Sequence, residues 1–579
     1  MIEDVYNIGV ITESKGNLSD DVMPDKVDKV DNIIAINFMQ KNEEVLYDCI
    51  NIFDCIKENY EHYLIKKGSS NGVNYSPVAQ ITEVEKTYEK KIKAWLNNSN
   101  NDMASKILLE MNKNNDCIIN KINELVNQCE KSKKILLTIT LNDKYCGDIN
   151  WIFEEYCSKI KSKIYGEGKI LGSCYLCKKK DVQLVPQNST FKFFTKDKPG
   201  FISGGFDESL FWRNSPICFE CQTLLNKGKK YMEENLRFNY YGFTYYLLPS
   251  SIDNEFMGKE LIELIKEANK RIRVTEESKE EFETLSEDVF YILKERSDIN
   301  SFRLLFIKRE NSAERIIMDL NDIYPSRLKK MYDAKYIIDK TYKQKMHDLT
   351  KNFKKEFNPS FTFAFYREFL RTSDDGSKNN DLDKMFLNLT QSIFLKYKYN
   401  PDILFMNYMR NIRRKIDTAL FNVQVLKSMM GINYLINIGC IQYGKEKTMD
   451  TQFQEFFSKY DVGLNTDVKR GLILVGALVQ KVLNIQYMEN NSTAFIKNLK
   501  SLKMRQTDVL GLVPQCVNKM QEYKSYSKAS NEIVNELSKM ILTSDVNWKL
   551  TIDEINFYIA AGMTMQKEIY SILEKKEEE

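Results

Sequence analysis

Histidine is nearly absent: the chain has two among 579 residues. A metal-dependent phosphohydrolase of the His-Asp type needs several imidazole ligands, and the single dipeptide His347–Asp348 stands without partners, so that chemistry is excluded. Proline (10) and glycine (23) are also scarce. Sandwiches and barrels need a turn residue every few positions, so neither can run through the whole chain. The longest strongly apolar run, Leu472–Val479, is far short of the ~20 residues that span a bilayer. The opening MIEDVYNIGVITESKGN is acidic and mixed, without the basic and apolar regions of a signal peptide. No charge sign dominates, with 84 Lys+Arg against 81 Asp+Glu and a net charge of +3, so any nucleic-acid surface must be local. These absences predict a cytoplasmic protein with no membrane segment. In that compartment the 12 cysteines are expected as thiols or metal ligands rather than disulfides.

What is present is enough for sizeable cores. Hydrophobic residues make up 43%, with 32 Tyr and 32 Phe, which excludes bulk disorder. The length implies about three to four domains. The expected fold class is α+β and helix-rich. Residues 1–165 read as a mixed α+β domain, 166–250 as a cysteine-bearing insert, 251–444 as a mixed but mainly helical middle domain, and 445–579 as a helical bundle. Ile33–Asn37 and Ile135–Leu141 read as strands, Glu43–Tyr60 as helix, Gly68–Pro77 as a loop before Val78–Ile81, and Glu83–Lys134 as helical. Phe302–Ile307 is a further strand, and Ser373–Asp381 an exposed loop. In the last part, Ile533, Val534, Leu537, Met540 and Ile541 make one apolar stripe of helical period, and Val468–Ile485 is apolar nearly all round, as the central helix of a bundle should be.

The strongest chemical signal is Cys174-Tyr-Leu-Cys177 followed, after 40 residues, by Cys218-Phe-Glu-Cys221. A two-residue spacer lets both sulfurs of a knuckle face one ion, and two knuckles supply the four thiolates of a closed tetrahedral zinc site. One structural zinc is therefore expected, with no open position for catalysis. The alternative is two independent pairs of buried or redox thiols.

From Tyr156 to Ser250, 13 Lys and 2 Arg oppose 8 acidic residues. Lys192, Lys196, Lys198 and Arg213 alternate with Phe191, Phe193, Phe194, Phe201, Phe211 and Trp212. Cations for phosphates and aromatics for base stacking form a nucleic-acid composition; the competing reading is that the aromatics are the insert's own small core. A second basic stretch, Arg327–Lys355, holds ten Lys/Arg against three Asp and includes Arg327, Lys329 and Lys330, with Tyr332, Tyr336 and Tyr342 interleaved. Arg410, Arg413, Arg414 and Lys415 cluster further on, and Lys497, Lys500, Lys503 and Arg505 lie near a late helix. Each is either a solvated face or part of a phosphate-tracking surface.

Catalytic motifs fail. Gly166-Glu-Gly-Lys-Ile-Leu-Gly172 is one residue too long for a dinucleotide fingerprint, and no Gly-Lys is followed by Ser or Thr. Ser203-Gly-Gly-Phe-Asp207 has Phe where a palm polymerase has its first metal-binding Asp. No Gly-x-Ser-x-Gly elbow is present. The sequence predicts no enzyme.

Phe194-Thr-Lys-Asp-Lys-Pro-Gly-Phe201, Pro216-Ile-Cys-Phe-Glu-Cys221 and Tyr245-Tyr-Leu-Leu-Pro249 resemble the zinc-knuckle region of the large subunit of type I-B CRISPR Cascade. Gly68–Ile81, Gly476–Gln486 and Ile552–Gly562 are similar to the same family, whereas residues 251–440 match it only loosely. The resemblance implies a non-catalytic subunit at the foot of an RNA-guided complex. Its partners would be CRISPR RNA, target double-stranded DNA and the displaced strand, the backbone and guide-processing subunits, and a helicase–nuclease. It would help read the protospacer-adjacent motif and open the first base pairs. It further implies that the C-terminal helices resemble the small subunit, made separately from an internal start; Met449 is the first candidate, with Met429, Met430 and Met409 behind it. Two alternatives stay open: a zinc-ribbon scaffold of other nucleic-acid machinery, and a palm-type CRISPR polymerase subunit.

Overall fold

Short, β-branched segments with no polar face suit central strands, and two of them organise the first half of the protein. In the computed structural model, which describes all residues except 13–22, 42–43, 69–71, 131, 166–169, 189, 194–199, 201, 251–254, 275–289, 291–292, 295–300, 311–312, 354–356, 372–379, 445, 543–546 and 579, the chain divides into two compact units. The first comprises Met1–Glu234 with Arg309–Arg315, the second Asn235–Lys308 with Ile316–Glu579.

The first unit is built on a four-stranded sheet of order β2-β1-β4-β3, made from β1 (Asn32–Lys41), β2 (Glu44–Asp54), β3 (Val78–Gln80) and β4 (Ile135–Leu141). The two central strands β1 and β4 run parallel, and every residue of β4 is buried, as a strand covered on both faces requires. The edge strands β2 and β3 are antiparallel to their neighbours, and a register shift at Asn37/Phe38 marks a bulge in β1. Helices Asp102–Lys113 and Asn115–Gln128 lie between β3 and β4 in the chain, the first capped by Asn101, whose side chain accepts from Met103 N at 2.9 Å. Glu43–Tyr60, expected as helix, is mainly strand β2. Its apolar residues fit both periods, and pairing with β1 across Lys41↔Glu44 to Asn32↔Asp54 decides for strand. Only Val45 and Ile50 of β2 are buried, while Leu46 and Phe53 face outward.

The unit ends with a loop-rich stretch holding a two-residue ladder, β5 (Leu171–Gly172) with β6 (Val182–Gln183), and the helix Phe219–Asn235. The N-terminal helix, Ile2–Ile11, packs along that last helix at a crossing where both sides carry glycine. A Cβ on Gly9 would lie 1.9 Å from Leu224 O, and one on Gly228 would lie 1.9 Å from Val5 O.

The second unit carries a sheet of order β10-β9-β8-β7, from β7 (Arg237–Tyr240), β8 (Phe243–Ser250), β9 (Ser301–Glu310) and β10 (Ala313–Ile323). Phe302–Ile307 lies in β9 as expected. The rest is helical, and from Lys445 onward no strand occurs among the described residues. The helix Asp467–Asn490 is the hub. Helices Gln506–Glu522, Lys528–Leu542, Ile552–Thr564 and Gln566–Glu578 all contact it. It is long and apolar enough for a membrane span, yet 72% of its apolar window is buried inside the bundle. Of the predicted stripe, Ile533, Leu537 and Met540 are buried and Val534 and Ile541 half-buried. Met449 lies before this bundle, its N–H donating to Asp467 Oδ1 at 3.0 Å.

Candidate metal centre and basic cleft

Cys174 and Cys177 sit in the turn between β5 and β6. The turn closes because Lys178 N donates to Cys174 O and Cys174 N to Lys179 O, both at 2.9 Å, with Lys178 in the left-handed region at φ 61°. Cys218 is joined to Leu184 by an isolated bridge, and Cys221 falls in the first turn of the helix Phe219–Asn235. Local hydrogen bonds thus shape one knuckle, and a helix start shapes the other.

The four sulfurs lie within 4.8 Å of one another, with Cys177 and Cys218 3.9 Å apart. A tetrahedron built on a 2.3 Å zinc–sulfur bond has edges of about 3.8 Å, so one ion fits with little movement. Cys174, Cys218 and Cys221 are each less than 5% exposed and Cys177 is half-buried, and four sulfurs would fill the coordination sphere of a tetrahedral ion. Cys218 N donates to Cys174 Sγ at 3.4 Å, the kind of amide contact that stabilises a thiolate. The hydrogen bond with Cys221, above all, lowers the Cys218 thiol, and the same bond raises Cys221, so the pair gives up one proton before the other. Burial pushes Cys174 up. One thiol is therefore ready to ionise, and a bound cation would supply the charge that ionises the rest. Tyr6, which no spacing argument pointed to, lies with its hydroxyl 3.8 Å from Cys221 Sγ.

The aromatics of this module divide. Phe191 and Phe211 are buried and serve as its core; Phe193 and Trp212 are half-buried; Phe194 and Phe201 lie outside the described residues. Lys196 and Lys198 also lie outside them, whereas Arg213 is exposed beside the Trp212 ring. Asp207 caps the short helix Glu208–Asn214, accepting from Ser209 N at 2.9 Å, and this stretch is a turn rather than a hairpin between strands.

In the second unit the basic residues also separate. Arg327, expected at a nucleic-acid surface, is instead a buried structural cation. It is 8% exposed, and its guanidinium donates to Ile393 O and Ile438 O. A planar fork with five donors is suited to tying carbonyls from separate helices together. On the same helix, Pro325–Thr350, Lys329 and Lys330 are exposed. Among its tyrosines Tyr336 is 70% exposed, Tyr332 half-buried and Tyr342 buried. Only Tyr336 could meet a base.

Arg413, Arg414 and Lys503, ninety positions apart in sequence at the extremes, line one open cleft of about 470 Å³ together with Arg410, Ser501 and Asp553. Arg413 is anchored: it donates to Leu502 O at 2.9 Å and pairs with Asp553 at 2.6 Å. The far wall is a turn in which Lys500, Ser501 and Leu502 all take positive φ, a costly backbone for side-chain-bearing residues. Lys497, Lys500, Lys503 and Arg505 are exposed around it, with Lys500 paired to Asp508 at 2.6 Å. Arg410 belongs to the cleft because it precedes Arg413 and Arg414 by three and four residues on the helix Pro401–Arg413, one turn away.

No curated protein matches the chain. Domain models of one family match it almost throughout: the N-terminal domain of CRISPR-associated protein TM1802 over residues 1–159, its central domain over 171–323 and its C-terminal domain over 361–578. The four cysteines fall in the central match and the basic cleft in the C-terminal one, and with all three domains in order the chain belongs to the CRISPR-associated protein TM1802 family.

Proposed function

We propose that this protein is the non-catalytic large subunit of a cytoplasmic, type I-B, CRISPR RNA-guided DNA surveillance complex. The in-order match to all three domains of one CRISPR-associated family carries the reading. In such a complex base pairing with the guide reads the long target, and protein reads the short adjacent motif and the duplex shape. The roles assigned here are contact with the guide's 5′ handle, recognition of that motif, opening of the first base pairs, holding of the displaced strand and recruitment of the helicase–nuclease.

The closed sulfur site supports a structural zinc, held by Cys174, Cys177, Cys218 and Cys221, and not a catalytic one. The capping role of Asp207 speaks against polymerase chemistry in that stretch. The cleft of Arg410, Arg413, Arg414 and Lys503 suits phosphodiesters. Its single acidic lining residue, Asp553, is paired with Arg413 and the remaining charges are positive, and a concave wall of net positive charge focuses the field on an approaching strand. The double change Arg414→Gln with Lys503→Gln is expected to weaken DNA binding with a salt slope lower by about 2. Binding unchanged at every salt concentration would remove the cleft from the nucleic-acid path.

Native mass spectrometry of the C-terminally tagged protein, drawn gently from its own cells, tests the whole assignment. A large particle with a short guide-like RNA, several backbone copies, one zinc per full-length chain and extra copies of a C-terminal fragment is expected. A lone chain without RNA would overturn the reading. Met449→Leu should abolish the free fragment if the internal start lies there.

A further inference from the structure

The N-terminal helix Ile2–Ile11 is 215 positions from the second knuckle in sequence at Tyr6, yet Tyr6 Oη reaches within 3.8 Å of Cys221 Sγ. This approach does not depend on a flexible side chain finding its partner. Cys221, Leu224 and Gly228 lie on one helix, and the N-terminal helix meets that helix backbone to backbone through Gly9 and Gly228. Val5 and Ile8 are fully buried against their surroundings. Tyr6 therefore sits one turn from a fixed crossing, and its hydroxyl is held at the sulfur. Glu3 and Lys178 approach to 3.9 Å beside the first knuckle, although both are largely exposed and add little.

A metal-bound cysteine is a thiolate and can only accept hydrogen bonds, whereas a tyrosine hydroxyl, protonated up to about pH 10, can donate. Donors outside the ligand set hold a ligand in place and moderate its charge, and their loss costs roughly 10–100-fold in metal affinity. We propose that Tyr6 is the hydrogen-bond donor to the metal-bound thiolate of Cys221, so that metal occupancy and docking of the N-terminal helix are coupled. The coupling is reciprocal: a docked helix slows metal loss, and metal loss releases the helix. The proposal rests on the four-thiol site holding a metal. It makes Tyr6 a positioning residue and the metal a clamp on a segment that no cysteine spacing connects to it.

The test uses the full-length protein loaded with zinc, or with cobalt as a spectroscopic stand-in, and the variant Tyr6→Phe, which keeps the ring and deletes only the hydroxyl. The variant should release metal to a chromogenic chelator about tenfold faster. Its sulfur-to-cobalt charge-transfer band should move to lower energy, because a thiolate without its donor holds its electrons less tightly. In the wild type, chelation should speed amide exchange across residues 2–11 while β4 keeps its protection. Wild-type release kinetics with an unshifted cobalt band in Tyr6→Phe would overturn the donor role. Unchanged exchange at residues 2–11 after chelation would overturn the coupling. A wild-type protein that holds no stoichiometric metal would instead sink the metal reading, which is a separate result.

Discussion

The cysteine module and the C-terminal bundle solve the same problem by opposite means. Among the described residues between Leu171 and Cys221 the regular structure is mainly two-residue strands, a short helix and the start of a longer one, so few of their backbone hydrogen bonds repeat. In the bundle, the helix Asp467–Asn490 is buried on every side from Val468 to Val479 and needs no cross-link. Packing that dense lets a segment stand alone, and its absence leaves a segment dependent on ligands. The difference implies separate failure modes. Removal of one sulfur should collapse the first region and spare the second, whereas a core change should do the reverse.

The largest effect is expected from Cys218→Ser. Structural zinc contributes on the order of 10 kcal/mol to the folding of small cysteine sites, and three thiols cannot close the tetrahedron. Metal content should fall to near zero by elemental analysis, and amides of residues 170–188 and 202–218 should exchange freely. Protection across Asp467–Asn490 should hold. Loss of protection there as well would break the comparison and make the metal a support for the whole chain.

Next is Lys469→Met. Lys469 and Glu554 form an ion pair at 3.0 Å with both side chains under 10% exposed, and Lys469 also donates to Asn465 Oδ1 at 3.1 Å. Deleting one partner of a buried pair costs roughly 3 to 5 kcal/mol, because the other charge is left without water or counter-ion. Burial, outweighing the pull of Lys469, raises the Glu554 carboxyl above its ordinary range. A carboxyl raised in the folded state contributes stability that is fully present below its ordinary value and lost as pH rises through the folded value. Without Lys469 the carboxyl can escape its penalty by taking a proton, so the deficit in denaturant melts should shrink between pH 7.5 and pH 5. A deficit that does not change with pH would mean that Glu554 finds another partner.

How much of this was legible in the sequence depended on the range of the interaction. The four-cysteine cluster was readable because each Cys-x-x-Cys pair is encoded within four residues and shaped locally. The bundle was readable because Ile533, Leu537 and Met540 repeat at helical spacing and Val468–Ile485 is apolar nearly all round. Strand β2 was misread as helix because its apolar residues satisfy two periods, and its partner in β1 decides between them. Arg327 was misassigned because composition counts charge but not where the guanidinium goes; its carbonyl partners lie 66 and 111 positions away. The approach of Tyr6 to Cys221 has no local signal, since nothing in the N-terminal helix announces a ligand 215 residues on.

Two glycines bring the comparison to its finest grain. Alanine in place of glycine within a helix normally gains up to about 1 kcal/mol, because glycine loses more backbone freedom on folding. Gly476 should reverse that sign. Its Cβ would fall 2.0 Å from Ile559 O, and the facing Gly562 would bring one 1.9 Å from Ile473 O, so the two helices touch through backbone that cannot yield. Gly476→Ala should therefore cost about 1 to 3 kcal/mol through forced separation of the pair.

Gly511, on the helix Gln506–Glu522 of the same bundle, has no atom beyond its own stretch of helix backbone within 4 Å of where its Cβ would stand. Gly511→Ala should stabilise by about 0.5 to 1 kcal/mol, acting through the unfolded chain and not through any new contact. Paired denaturant melts of the two variants at one pH read the contrast directly. Opposite signs mean that close backbone contact, and not helix propensity, sets the stability of the central crossing. Two gains would mean that the Asp467–Asn490 and Ile552–Thr564 helices can part at little cost, and that the bundle is looser at its hub than its burial implies.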